Sequence, residues 1–104
     1  MTQQEFKNIL LQIGVPVYHY QAHEESENYI VWACVGRKSI HSDDKTEDYL
    51  RRYAINYYSH NEYDDEIVDK IHDVLEKNNV FVSDESIVFD DTLNMALYAF
   101  TVEG

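Results

Sequence analysis

One cysteine, one proline and three glycines are spread over 104 residues, and cations are nearly as scarce, eight against twenty carboxylates. The single thiol, Cys34, closes no internal disulfide, so the chain folds without a covalent staple and a reducing compartment is expected. No glycine-rich phosphate loop or dinucleotide fingerprint occurs, and three glycines leave little room for one. No apolar run approaches the roughly 20 residues that cross a bilayer. The N-terminus, Met1-Thr2-Gln3-Gln4-Glu5-Phe6-Lys7, lacks a cationic stretch followed by an apolar core, so no secretory leader is expected.

The shortage of cations sets the net charge at −12. Residues 1–40 hold four carboxylates against three cations, −1, and the remaining −11 falls in residues 41–104. Such a field repels phosphate backbones and anionic lipids, so neither nucleic acid nor membrane is expected as a partner. A basic protein surface fits better, as does a second copy whose repulsion a cation must first screen.

What is plentiful is tyrosine, nine residues among aromatics that make up 13% of the chain. Its apolar ring and polar tip suit half-buried sheet faces and interfaces. At 12.3 kDa the chain makes one domain, 1–104, with a folded surface of roughly 6,000 Å².

Hydrophobic spacing outlines the elements. Thr2 and Glu5 have capping-box spacing, and Phe6, Ile9, Leu10 and Ile13 share one face of a helix over about 2–13, stopped at Gly14. Val15–Tyr20 reads as a strand with Pro16 at its edge, and Tyr29–Val35, apolar on both faces, as a central strand. Gly36–Asp48 is charged throughout and reads as an extended hairpin arm or a mobile loop before a strand over Tyr49–His60. A second helix spans about Tyr63–Lys77, with Ile67, Val68, Ile71, Val74 and Leu75 as its stripe. Asp64, Asp65 and Glu66 stand at its positive start, and Glu66–Lys70 and Asp73–Lys77 have ion-pair spacing. Val80–Val82 or Ile87–Phe89, and then Leu93–Val102, supply closing strands. The expectation is an α+β domain: a mostly antiparallel sheet of four to five strands, its first three antiparallel, with both helices on one face.

No constellation in this chain carries catalysis. The acidic clusters Asp43-Asp44, Glu47-Asp48, Asp64-Asp65-Glu66, Asp84-Glu85 and Asp90-Asp91 lack the alternating spacing of a calcium loop. They read as solvated turns and helix starts, with a weak Mg²⁺ or Ca²⁺ site at a subunit boundary as the functional alternative. His19, His23, His41, His60 and His72 show no zinc-ligand spacing, and His72 is expected on the exposed side of its helix. Cys34, expected to be buried in a central strand, reads as a small hydrophobe rather than a nucleophile. Arg37, Lys38, Arg51 and Arg52 flank Asp43, Asp44, Glu47 and Asp48 on the two sides of the arm. Two readings stand for these eight residues: local charge balance, or a contact strip for a neighbouring subunit.

As a succession of elements the chain resembles the tail-terminator and tail-completion (head–tail joining) proteins of long-tailed bacteriophages. The residues that carry the likeness are Gly14-Val-Pro-Val-Tyr18, Asn28-Tyr-Ile-Val-Trp32, the polar arm with Tyr53-Ala-Ile-Asn-Tyr-Tyr58, the helix Asp65–Leu75 and the strand Leu97–Val102. The resemblance implies a non-enzymatic virion protein, made in the host cytoplasm, that forms a hexameric ring at the head-proximal end of the tail. It implies two partners besides itself, the major tail-tube protein and a head-completion protein. It supplies no catalytic residue, no cofactor and no ligand motif, although divalent cations help some members assemble. A head-completion or stopper role, or an acidic interaction module that inhibits a basic partner or mimics nucleic acid, are the alternatives.

Overall fold

A computed structural model describes residues 1–23, 26–42 and 45–104, and for 38–42 and 45–49 the backbone only. Glu24, Glu25, Asp43 and Asp44 lie outside the described residues.

Helix α1 covers Gln3–Leu11 and opens with the anticipated capping box. The Thr2 hydroxyl accepts the Glu5 N–H at 3.1 Å, and the Glu5 carboxylate accepts the Thr2 N–H at 3.2 Å. The Thr2 N–H, helped by the Thr2 hydroxyl, holds the exposed Glu5 carboxyl below its usual range. Gly14, at φ 92°, turns the chain away, a conformation that a Cβ would strain.

Three strands follow: β1 (Val17–His19), β2 (Asn28–Ser42) and β3 (Lys45–Ser59). Helix α2 (Asp65–Lys77) ends at Asn79 in the left-handed region, and β4 (Phe81–Asp90) and β5 (Met95–Glu103) close the chain. The two alternatives entertained for the penultimate strand, Val80–Val82 and Ile87–Phe89, are the two ends of one ten-residue strand. The strand order is β1-β2-β3-β5-β4.

Two expectations are corrected here. The first three strands are not all antiparallel: β1 pairs parallel with β2, Val17 opposite Ile30 and His19 opposite Trp32, while the other pairings are antiparallel. The connection from Tyr20 to Glu27 carries the chain back to the starting end of the sheet, which a tight turn could not do. The central strand is β3, not the Tyr29–Val35 run, which has only the short β1 outside it.

Sheet register decides which residues meet the helices. Ile30 and Trp32 of β2, Tyr53, Ile55 and Tyr57 of β3, and Tyr98, Phe100 and Val102 of β5 share one face. There they join Phe6, Ile9, Leu10 and Ile13 of α1 and Ile71, Val74 and Leu75 of α2 in one core. Phe6 stacks on Tyr53 at 3.8 Å and meets Trp32 edge-on at 5.5 Å. Burial raises the Tyr53 phenol above the usual tyrosine range. Both helices therefore lie on one side of an α+β sheet.

The molecule is longer than its residue count predicts. Its Cα extents are 50 × 24 × 22 Å and its radius of gyration is 14.7 Å, against about 13 Å for a compact chain of this length. Its accessible surface is 6,765 Å². The excess comes from the β2–β3 hairpin, whose ladder continues from Gly36 opposite Arg52 to Ser42 opposite Lys45. β5 pairs with β3 from Arg52 to Ser59 and Gly104 exchanges two backbone hydrogen bonds with Arg51, so beyond that point the hairpin is, among the described residues, a two-stranded ribbon.

Candidate functional site

The ribbon is the first candidate surface, and the charged Gly36–Asp48 stretch is thus built as a hairpin arm rather than a loop. A one-residue shift between Cys34 and Gly36 pushes Val35 out of the ladder, where it stands 58% exposed. Cys34 is half-buried rather than enclosed, with its Sγ 3.6 Å from the Gly36 carbonyl oxygen.

Of the eight residues proposed for a contact strip, the register brings Arg37 directly opposite Arg51 and leaves Arg52 opposite Gly36. The register thus sets two arginines opposite each other at the arm's stem. Arg51 donates through Nη1 to the Met1 carbonyl, and Arg52 pairs with Glu103 at 3.1 Å. Lys38 falls opposite Leu50 and Asp48 opposite Ile40 in the backbone ladder. The side chains of Lys38, Glu47 and Asp48, and Asp43 and Asp44 entirely, lie outside the described residues.

The second surface is the sheet face without helices. Register aligns Tyr29, Tyr58, Leu97 and Val88 in one row, then Val31, Asn56, Ala99 and Ser86, then Ala33, Ala54, Thr101 and Asp84. Eleven of these twelve carry no charge, in a chain where 27% of residues do. Strand spacing and rise give the three rows roughly 400 Å². That is half of what one partner contributes to a standard interface, so this face needs help from a neighbouring surface.

The third is the β4 edge. All but two of its ten residues are exposed, among them Phe81, Ile87, Val88 and Phe89 at 55–69%. Helix α2 reaches this strand through His72, which is half-buried rather than exposed. Its Nε2 lies 3.0 Å from a Glu85 carboxylate oxygen and its ring stands edge-on to Phe100 at 5.4 Å.

No spacing in the chain points to the buried polar knot at the start of α2. Asp64 is 5% exposed and, although it is the N-cap residue, its side chain caps nothing. Its Oδ2 instead accepts the Tyr57 hydroxyl at 2.5 Å and the Ser59 hydroxyl at 2.6 Å. Asn28 donates to the Tyr57 oxygen at 3.1 Å, and the Asn61 N–H donates to Ser59 Oγ at 3.1 Å. Burial pushes the Tyr57 phenol well above the usual tyrosine range, and the Asp64 carboxylate beside it adds to the shift. This knot pins β2, β3 and α2 together, and every lone pair it uses is satisfied from within.

The other acidic positions have equally local employment. Asp90 accepts the Thr92 and Leu93 N–H groups, shaping the β4–β5 turn, and Glu85 serves His72. Among the described residues no group of three His, Cys, Asp or Glu side chains is placed to hold a metal ion. Neither Glu66–Lys70 nor Asp73–Lys77 closes into an ion pair, so the favourable spacing on α2 goes unused. A groove of about 370 Å³ lies between α1 and β1, lined by Gln3, Gln4, Lys7, Tyr18, His19, His23 and Trp32. His19 lies flat on the Trp32 indole at 4.2 Å. Trp32 is 3% exposed, and its Nε1–H has no partner among the described residues. Among the described residues that line the groove there is no carboxylate.

Compared with known protein families and with curated proteins, the chain matches none. No described helix is long and apolar enough to cross a membrane.

Proposed function

We propose that this protein is a non-enzymatic assembly subunit of the phage tail-terminator type. It closes into a ring that ends tail-tube polymerisation and joins the tail to the head. The observation that carries the reading is the two-stranded arm running past its own sheet. An isolated ribbon of this kind is marginal in water, and it gains stability when another surface covers it. On a ring subunit that surface is the adjacent protomer, and a head-to-tail contact of unlike patches is the kind that closes into rings. The uncharged helix-free face and the apolar β4 edge add area that a lone monomer would not spend on exposed apolar groups.

Electron microscopy of the purified protein with and without tail tubes tests this. The expected result is a discrete ring with an open centre that sits at one end of each tube. A protein that leaves both tube ends bare at every concentration overturns the proposal.

A further inference from the structure

The groove between α1 and β1 reverses the charge balance of the chain. The chain holds twenty carboxylates and eight cations, yet the described residues that line this groove include a lysine and no carboxylate. Lys7 closes no ion pair among the described residues. Gln3 and Gln4 line the groove from the first turn of α1, the positive end of the helix dipole. Glu5, the acid of that turn, is drawn back onto the Thr2 N–H and does not line the groove. Such a setting favours a negatively charged ligand.

A second observation points to a ligand independently of charge. Trp32, which also lines the groove, is 3% exposed, and its Nε1–H is a buried donor with no partner among the described residues. Buried donors are nearly always paired, because an unpaired one has given up its water and gained nothing. The indole is not free to turn in search of a partner. His19 lies flat on it at 4.2 Å, Tyr20 stacks in turn on His19 at 3.9 Å, and Phe6 meets the indole edge-on at 5.5 Å. A donor fixed in this way costs little further ordering when an acceptor arrives. On the helix side of the groove Gln3 and Lys7 are exposed side chains that can rearrange around a ligand.

We propose that this groove binds a small monocarboxylic acid, whose carboxylate accepts from the Lys7 ammonium and the Trp32 indole N–H while its apolar part rests on Val17 and Tyr18. A volume of about 370 Å³ is that of a small-ligand site. Charge and geometry set the class. One unpaired cation balances one negative charge, and the field of a chain at −12 opposes a dianion such as phosphate twice as strongly. A carboxylate brings two acceptor oxygens, one for each donor. The inference does not rest on the ring reading.

The test is a titration of the isotopically labelled full-length protein with sodium hexanoate at constant pH and ionic strength, followed by heteronuclear NMR. Trp32 is the only tryptophan, so a single indole N–H signal reports the donor itself. That signal is expected to move downfield and to saturate. Hexanamide has the same shape without the charge and is expected to bind about tenfold more weakly. Lys7→Glu is expected to weaken hexanoate by a similar factor, and, at an exposed position, to leave the rest of the spectrum in place. An indole signal that hexanoate does not move overturns the proposal. Equal binding of hexanoate and hexanamide also overturns it, since an apolar crevice would behave that way. Inorganic phosphate binding as tightly as hexanoate would make the groove a general anion site and reject the assigned class. Full affinity for hexanoate in Lys7→Glu would place the carboxylate elsewhere. If that variant fails to fold, the comparison of hexanoate with hexanamide, made on wild-type protein alone, still decides.

Discussion

Asp64 shows how one residue's role is decided by neighbours distant in the alternation pattern. In sequence it is the first of three acids at a helix start, and solvation is the natural expectation for all three. Asp65 and Glu66 are indeed exposed. Asp64 differs because Tyr57 and Ser59, two apart on one face of β3, aim their hydroxyls at the point where the chain re-enters the protein. That meeting depends on the length of the turn between strand and helix, which no spacing rule supplies. The consequence is measurable. Asp64→Ala is expected to lower unfolding free energy by about 2–4 kcal/mol, because two buried hydroxyl donors lose their acceptor. Asp65→Ala is expected to cost no more than about 1 kcal/mol, the worth of an exposed charge at a helix start. Urea denaturation of both variants checks the contrast, and equal costs would show that Asp64 is an ordinary helix-start acid.

At the scale of elements, what could be read from sequence was whatever local chemistry dictates. The capping box at Thr2 and Glu5 and the stripe on α2 depend on residues within one or two turns of each other. The β2–β3 pairing was legible as well, since two strands rich in Tyr, Val and Ile flank one polar stretch. The parallel β1 and the position of β4 at an edge were not. Both follow from where a strand lands in the sheet, and apolar residues at Ile87–Phe89 suit a buried strand as well as an exposed one. Among the described side chains the core's members end at Cys34 on β2 and resume at Tyr53 on β3. Replacing residues 39–45 with a tight turn is therefore expected to leave thermal stability within a few degrees of wild type and to abolish assembly. Retained assembly by light scattering would show that the arm's outer half plays no part in the contact.

At the scale of the whole molecule two electrostatic effects oppose each other, and their ranges decide which prevails. Copies carrying −12 each repel over a Debye length, about 30 Å at 10 mM salt and 10 Å at 100 mM, so low ionic strength keeps subunits apart. The attraction between unlike charges that meet when two copies touch acts at contact distance and is screened far less until the Debye length falls to about 3 Å near 1 M. Association is therefore expected to rise from 10 mM to about 150 mM salt and to fall again towards 1 M. Light scattering across that range, at matched ionic strength in NaCl and in MgCl₂, separates screening from a specific cation site. Screening predicts the same curve in both salts, since no described trio of ligands gathers to hold Mg²⁺. A curve in MgCl₂ that rises at much lower ionic strength would place a cation between subunits, where carboxylates from two copies meet. A steady fall from the lowest salt upward would mean that local attraction outweighs net repulsion throughout, and that the acidic surface does nothing to hold free subunits apart.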